Sequence, residues 1–181
     1  EKRLAPVNED PNRAPGQDGP DGIAENPIGF DTSSAVIARV QIDPTPTGNV
    51  DRLYIGSKNG RVYCIEMAGR GDGTTTRAWS YPDDYPSIPI NSNLGPIVGS
   101  LSFGNITTRP TVYVPTVQGR VIALDARGDA TTKTTTVRWA YPLFTDPTIG
   151  AVRMAPTVRF NKVFFGAERK FGDSRSYVYA L

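Results

Sequence analysis

The feature that most constrains this chain is a β-hairpin pattern that occurs three times. In the first copy, residues 53–66, two β-prone apolar runs flank the turn Lys58-Asn59-Gly60. Asn-Gly between such runs predicts a two-residue hairpin turn, because both residues adopt positive φ at low cost. The second copy, residues 112–125, carries Gly119 where the first has Gly60, an offset of 119 − 60 = 59 residues. A looser third copy occupies residues 163–181, so the sequence predicts a protein built from repeats.

Each hairpin lies within a longer unit of predicted strands. One strand precedes the hairpin, and in the first two units a strand with a Trp follows it, at Trp79 and Trp139. The third unit lacks this fourth strand. The flanking strands are predicted at residues 36–42 and 77–82 in the first unit, 97–101 and 137–142 in the second, and 153–158 in the third. Four antiparallel strands that repeat every roughly 50–60 residues are typical of β-propeller blades.

The predicted fold class is therefore all-β: a β-propeller of four-stranded antiparallel blades, with about three blades present and the ring incomplete. We expect the blades at residues 34–84, 95–145 and 150–181. Three blades do not close a ring, because propellers typically have about four to eight. An open blade exposes an apolar face and an unpaired strand edge. We therefore expect either further blades beyond Leu181 or a protein partner that covers the open face.

Residues 1–33 differ from the rest of the chain, since they are rich in Pro and Gly and lack apolar periodicity. This composition predicts an irregular linker or arm rather than an independently folded segment. The acidic residues Asp18, Asp21 and Glu25 could form a calcium loop, but the regular ligand spacing of an EF-hand is absent. A turn-rich linker is the favoured interpretation.

The composition limits the chemistry that the chain can perform. It has no His, which removes the commonest general base and metal ligand. Its only Cys, Cys64, lies in a predicted strand, where a buried apolar role is expected. Asp83, Asp84 and Asp146 lie in Pro-rich loops and are interpreted as solvated charges. We therefore predict no catalytic, cofactor-binding or metal-ligating residue.

Charge and hydropathy exclude further classes. The 20 Lys and Arg against 18 Asp and Glu give a net charge of 20 − 18 = +2, and no basic run is interleaved with aromatic residues. Nucleic acid is therefore not an expected partner. No apolar run is long enough for a transmembrane segment. The Thr-rich connections at residues 71–76 and 128–136 are expected at the propeller rim, as solvated loops or as segments that add to a partner's sheet edge.

The repeated residues resemble the PQQ-like β-propeller repeat family over residues 35–181. A blade of that family carries Tyr-Val-Gly-Ser, a Gly turn, Leu-Tyr-Ala-Leu-Asp and an outer-strand Trp. Here the first copy has Tyr-Ile-Gly-Ser at 54–57 and Val-Tyr-Cys-Ile-Glu at 62–66, and the second has Val-Ile-Ala-Leu-Asp at 121–125. The matching positions, which we expect to be structural, are Gly56, Gly60, Trp79, Gly119, Asp125, Trp139 and Gly166.

The resemblance implies several kinds of function. The family includes quinoprotein dehydrogenases, in which PQQ lies beside a vicinal Cys pair and a calcium ion held by Glu, Asn and Asp; an outer-membrane assembly lipoprotein that scaffolds other proteins; and sensor ectodomains. This chain lacks the vicinal Cys pair. We therefore expect a non-catalytic scaffold or protein-binding module of the bacterial cell envelope, periplasmic or extracellular. A fragment of a PQQ-dependent dehydrogenase, with PQQ and calcium held in other blades, and a membrane-tethered sensor ectodomain are the alternatives.

Overall fold

The computed structural model describes residues 33–42, 48–58, 60–69, 71, 75–82, 94–106, 109–170, 172 and 174–181. The predicted N-terminal arm therefore lies outside the described residues except for Ser33, as do Asp83 and Asp84. The described residues form β-strands and no helix. Accordingly, none of them belongs to a helix long and apolar enough to cross a membrane.

Three antiparallel sheets contain all the strands of the described residues, which confirms the all-β, blade-like fold class. Blade 1 consists of β1 (Val36–Gln41), β2 (Asn49–Gly56), β3 (Val62–Glu66) and β4 (Arg77–Tyr81), paired in that order. Blade 2 consists of β5 (Ser102–Ile106), β6 (Arg109–Thr116), β7 (Arg120–Asp125) and β8 (Val137–Tyr141), also in sequence order. Blade 3 has only β9 (Thr157–Arg159), β10 (Lys162–Ala167) and β11 (Tyr177–Ala180).

The central hairpins close through three-residue loops rather than the predicted two-residue turn. In blade 2, Thr116 pairs with Arg120, and the amide of Gly119 donates to the Thr116 carbonyl at 3.1 Å. Gly60 and Gly119 both have a φ of 82°. A three-residue hairpin loop requires one residue in the left-handed conformation, at the end of the loop. Gly60 and Gly119 occupy this position, so a second residue with positive φ is not needed.

The first strands of blades 2 and 3 begin later than the sequence predicts. Residues 97–101 and the first part of 153–158 are not strands but connections that run from one blade to the next; the first is largely buried, whereas residues 153–155 are exposed. Ile97 N donates to Ser57 O and Val152 N donates to Thr116 O, both at 3.0 Å, at the same place in the two hairpins. Ile97 and Leu101 are buried, and an apolar run of this length does not by itself distinguish a buried connection from a strand.

Blade 2 is buried on both faces because its neighbours cover it from both sides. We call the face toward the following blade the trailing face and the face toward the preceding blade the leading face. On the leading face, Val112, Val114, Ile122 and Leu124 pack in one core cluster with blade 1. On the trailing face, Tyr113, Val121 and Ala123 pack in a second cluster with blade 3. The alternation along each strand therefore divides one blade between two cores.

We expect Gly119→Ala to lower the free energy of unfolding by about 2–5 kcal/mol. The left-handed backbone contributes about 1–2 kcal/mol, and an added Cβ overlaps the Ile149 carbonyl, an overpacking that typically costs about 1–3 kcal/mol. Gly172→Ala is the matched control, since its φ is 88° but a Cβ there meets nothing within 4 Å. Urea unfolding should show the smaller, backbone-only loss for the control, and equal losses would contradict the packing argument.

Candidate functional site

The backbone carbonyl of Ala126 lies at the centre of the contacts between blade 1 and blade 2. Ala126, which follows β7, accepts hydrogen bonds from the Tyr54 hydroxyl at 2.9 Å and from the Trp79 indole N–H at 3.3 Å. The two rings are fully buried and their centroids lie 5.7 Å apart at an interplanar angle of 43°. Large apolar rings with a polar tip suit such a junction, because they fill the space between the sheets and also satisfy a buried acceptor.

Arg52 places a buried positive charge at the same junction. Its side chain is 1% exposed, and its Nη1 lies 3.5 Å from the Ala126 carbonyl oxygen and also donates to the Arg127 carbonyl. Nη2 lies 3.9 Å from the Glu66 carboxylate. Among the described residues the Nε of Arg52 has no hydrogen-bond partner. The guanidinium is therefore compensated mainly by backbone carbonyls of the next blade.

Cys64 lies beside this charge but remains an unreactive thiol. Burial raises the pKa of Cys64 to about 12, against the opposing effect of Arg52. Burial, followed by the neighbouring Cys64, also raises the pKa of Tyr54 far above its ordinary value. A thiolate is the nucleophilic form of Cys, so Cys64 contributes packing rather than chemistry.

Blade 2 repeats the aromatic pair without the acceptor. The Tyr113 and Trp139 centroids lie 5.7 Å apart at 44°, nearly the same geometry as in blade 1. In blade 1 the guanidinium belongs to Arg52 of β2, which corresponds to β6 of blade 2. In blade 2 the guanidinium belongs instead to Arg138 of β8, whose Nη2 lies 2.7 Å from the Asp125 carboxylate and 3.3 Å from the Pro110 carbonyl. No carbonyl among the described residues of blade 3 accepts from Trp139, which is only half-buried. The trailing side of blade 2 is thus less completely covered than that of blade 1.

The trailing face of blade 3 belongs to neither core cluster of the described residues, and we call it the open face. The strand register places on it the apolar residues Phe164, Val178 and Ala180, together with Thr157, Arg159, Lys162 and Gly166. Val178 is 84% exposed and Ala180 is exposed. Their counterparts in blade 2, Val121 and Ala123, are fully buried. The same strand positions are therefore core in one blade and surface in the other, which makes the open face the candidate site.

The residues predicted as structural recur blade by blade and do not converge on one site. Gly56 is buried beneath Ile97, and Gly60 lies 3.1 Å, measured from an added Cβ, from the Gly95 carbonyl. Asp125 accepts from the Arg127 amide at 2.9 Å in addition to its ion pair with Arg138. Gly166 lies on the open side of blade 3, where an added Cβ meets only the Tyr177 carbonyl at 3.9 Å. Gly119, Trp79 and Trp139 have the positions described above.

The second Thr-rich connection is exposed at residues 129–132, as a solvated loop would be, but it also pairs within the chain. Asp129 and Thr134 form a small antiparallel bridge, and the Lys133 carbonyl accepts from the Ser80 amide of β4 at 3.2 Å. Lys133 Nζ also donates to the Arg77 carbonyl at 3.0 Å. Residues 128–136 therefore cover the outer edge of the chain's own blade 1, because an exposed strand edge binds the nearest segment that offers backbone groups. The first Thr-rich connection lies mostly outside the described residues.

Sequence reasoning missed two contributors to the junction. Arg52 was detectable in principle, since a charged residue in the middle of an apolar strand signals a buried partner. Ala126 was not detectable, because it acts through a backbone carbonyl whose role no side chain reveals. Gly128 has a φ of 53° and an added Cβ would overlap the Trp79 ring, so its small size is also required by this junction.

The described residues do not fit the cofactor set of the quinoprotein dehydrogenases. They contain no group of three or more His, Cys, Asp or Glu side chains placed to hold a metal ion. Cys64 is buried between blades without a neighbouring Cys. Asp146 is exposed, and its backbone carbonyl accepts from Arg120 at 2.8 Å. Neither PQQ nor calcium therefore finds its characteristic ligands in this part of the chain.

Comparison with known proteins gives a distant structural likeness. No protein-family model matches the sequence, and no curated protein sequence matches it. Among solved structures, the chain is similar to a europium-containing methanol dehydrogenase, with 18% sequence identity and a TM-score of 0.46. The match covers 83% of this chain and 25% of that one, so this chain spans about a quarter of its length.

We expect Trp79→Phe to destabilise the protein by about 1–3 kcal/mol, through a lost hydrogen bond and a residual cavity. Trp139→Phe is the matched control, because its ring sits in the same geometry but is half-buried and has no acceptor among the described residues. The loss of stability in Trp139→Phe should be clearly smaller than in Trp79→Phe. Guanidinium unfolding checks both variants, and a larger loss for Trp139→Phe would contradict the assigned role of Ala126.

The buried thiol predicts a loss of stability at alkaline pH. Because the pKa of Cys64 rises from 9.0 to about 12 on folding, its contribution is intact below pH 9 and declines as pH rises toward 12. At about pH 10.5 the loss is about 2 kcal/mol. Cys64→Ala, which copies Ala123 of blade 2, should remove this part of the pH dependence. Urea unfolding at pH 8 and pH 10.5 measures it, and identical pH profiles would exclude the effect.

Proposed function

We propose that residues 34–181 are blades of a PQQ-like β-propeller that acts as a protein-binding scaffold in the bacterial cell envelope, with the open face as its docking surface. The supporting observation is the exposure of Val178, at 84%, where the repeat buries Val121 completely. Apolar side chains exposed at strand positions that are otherwise core are typical of a protein interface. The envelope location rests on the family resemblance.

A non-catalytic role is supported by the way the polar side chains are used. Arg120 donates to the Pro142 carbonyl at 2.9 Å, to the Leu143 carbonyl, and to the Asp146 carbonyl at 2.8 Å, which fixes the loop after β8. Arg52 and Asp125 are likewise engaged with backbone groups and counter-ions. Such side chains hold connections in place and are not free to act on a substrate.

A photo-crosslinking amino acid at Val178 should capture a specific protein in envelope extracts, because this side chain is 84% exposed on the open face. The matched control carries the same group at Thr131, which is exposed on the hairpin over blade 1. Mass spectrometry should identify a partner enriched at least about tenfold at Val178, as a contact of about 1.4 kcal/mol or more would give. Equal capture at both positions, or capture at neither, would reject the open face as the docking surface.

A further inference from the structure

The loop that follows β8 carries two exposed apolar side chains. Leu143 is 58% exposed and Phe144 is 46% exposed. Arg120 of blade 2 contacts the loop from one side. From the other side, Lys170, which follows β10 of blade 3, donates to the Thr148 carbonyl at 3.0 Å. Both blades that flank the loop therefore belong to the described residues, and the two side chains remain exposed between them.

The repeat does not require apolar side chains at these two positions. In the first unit Tyr81-Pro82 is followed by Asp83-Asp84, whereas in the second unit Tyr141-Pro142 is followed by Leu143-Phe144. The two Tyr-Pro pairs are offset by 141 − 81 = 60 residues, as are the two Trp residues of the outer strands. A blade of this chain can thus be followed by two carboxylates. An exposed Leu and Phe at the same place therefore indicate an interaction rather than a requirement of the fold.

Arg120 satisfies the backbone of this loop from within the protein. Its Nη1 donates to the Pro142 carbonyl at 2.9 Å and to the Leu143 carbonyl. Its Nη2 donates to the Phe144 carbonyl at 3.4 Å and to the Asp146 carbonyl at 2.8 Å. Water would solvate these carbonyls in an ordinary surface loop, whereas in lipid a backbone group needs a partner within the protein. The loop therefore meets the main requirement for entering an apolar layer.

The surface around the loop is basic. Hydrogen bonds join residues 117–120, 142–154 and 168–170 at one end of the sheets, and we call these segments the hairpin end. Their charged residues give a net charge of 4 − 2 = +2: Arg120, Arg153, Arg169 and Lys170 against Asp146 and Glu168. Met154, which is 73% exposed, adds a third apolar side chain. Apolar side chains among cations suit the boundary between anionic headgroups and acyl chains.

We propose that the hairpin end binds the surface of an anionic phospholipid bilayer, with Leu143 and Phe144 inserted at the boundary between headgroups and acyl chains. Arg169 and Lys170 contact the phosphate groups, and Arg120 keeps the inserted backbone hydrogen-bonded. A protein groove could supply its own donors to the loop, so the internal satisfaction of these carbonyls favours lipid over a protein partner. This inference goes beyond the scaffold role and does not depend on the open face.

The first test floats the full chain with vesicles of phosphatidylcholine that contain about 30% phosphatidylglycerol. Half of the protein should float at about 0.1–1 mM lipid, as for a marginal single-chain anchor. Binding should weaken at least about threefold when the ionic strength rises from about 0.1 M to about 0.5 M. Vesicles of phosphatidylcholine alone are the matched control and should bind at least about tenfold more weakly. Equal flotation with both vesicles, or none with either at about 5 mM lipid, would overturn the proposal.

Two double variants separate insertion of this loop from general stickiness. Leu143→Ser with Phe144→Ser removes apolar area without adding charge. Ile37→Ser with Ile42→Ser is the matched control, because these side chains are 61% and 45% exposed in and after β1 of blade 1. Once circular dichroism shows that both are folded, the loop variant should bind anionic vesicles at least about tenfold more weakly and the control less than about twofold. Equal losses would contradict insertion at this loop.

The depth of the loop provides an independent measurement. Fluorescence of the Phe144→Trp variant should be quenched by lipids with brominated acyl chains, above the background that Trp79 and Trp139 give in the wild-type chain. Thr131→Trp is the control, since Thr131 is exposed on the hairpin over blade 1, and it should show no added quenching. Added quenching at neither position would overturn the proposal.

Two further outcomes would assign the loop differently. Self-association of the wild-type chain that the loop variant abolishes, without vesicle binding, would assign Leu143 and Phe144 to a contact between copies. A protein cross-linked at residue 143 and lost in the loop variant, again without vesicle binding, would assign them to a protein partner. Either result would overturn the lipid proposal, and neither would affect the test of the open face at Val178.

Discussion

The structure depends on the hydrogen bonds that the Ala126 carbonyl accepts across the junction of blades 1 and 2. A carbonyl buried between two sheets loses its water, and an unsatisfied buried acceptor costs about 1–3 kcal/mol. Tyr54 and Trp79 supply donors at 2.9 and 3.3 Å from rings that also fill the intersheet space. Polar satisfaction and apolar packing therefore fix the spacing of the blades together, and neither ring can move without affecting both.

The same junction explains why the outer edge of blade 1 is covered. Residues 126–136 run from the accepting carbonyl through Gly128, which lies against Trp79, to Lys133, whose carbonyl pairs with Ser80 of β4. One continuous segment of blade 2 thus satisfies the interior of the junction and then blunts the exposed strand edge of its neighbour. Blade 1 is therefore completed by the blade that follows it along the chain.

The repeat architecture was predictable, because Gly60 and Gly119 mark hairpins at a constant offset and the flanking runs are strongly β-prone. The residues at which the first strands of blades 2 and 3 begin were not predictable. Ile97 belongs to a connection that is as apolar as a strand, and only the hydrogen bond of its amide to Ser57 distinguishes the two. The sequence also predicted that the third blade has an exposed apolar face. It did not predict the register of β10 and β11 on that face, because this register depends on the pairing of Phe164 with Ala180, which no residue pattern specifies.

The strand register of blades 1 and 2 places a Trp opposite Cys64 or Ala123 and a Tyr two residues farther along β4 or β8. Blade 3 has residues of the same kinds as its predecessors on the inner strands, with Phe164 opposite Ala180, but it exposes Val178 to solvent. This exposed apolar area disfavours an uncovered face, since burying a side chain of this size contributes about 1.5–3 kcal/mol. Further blades and a protein partner would both cover it by the kind of packing that joins blade 1 to blade 2.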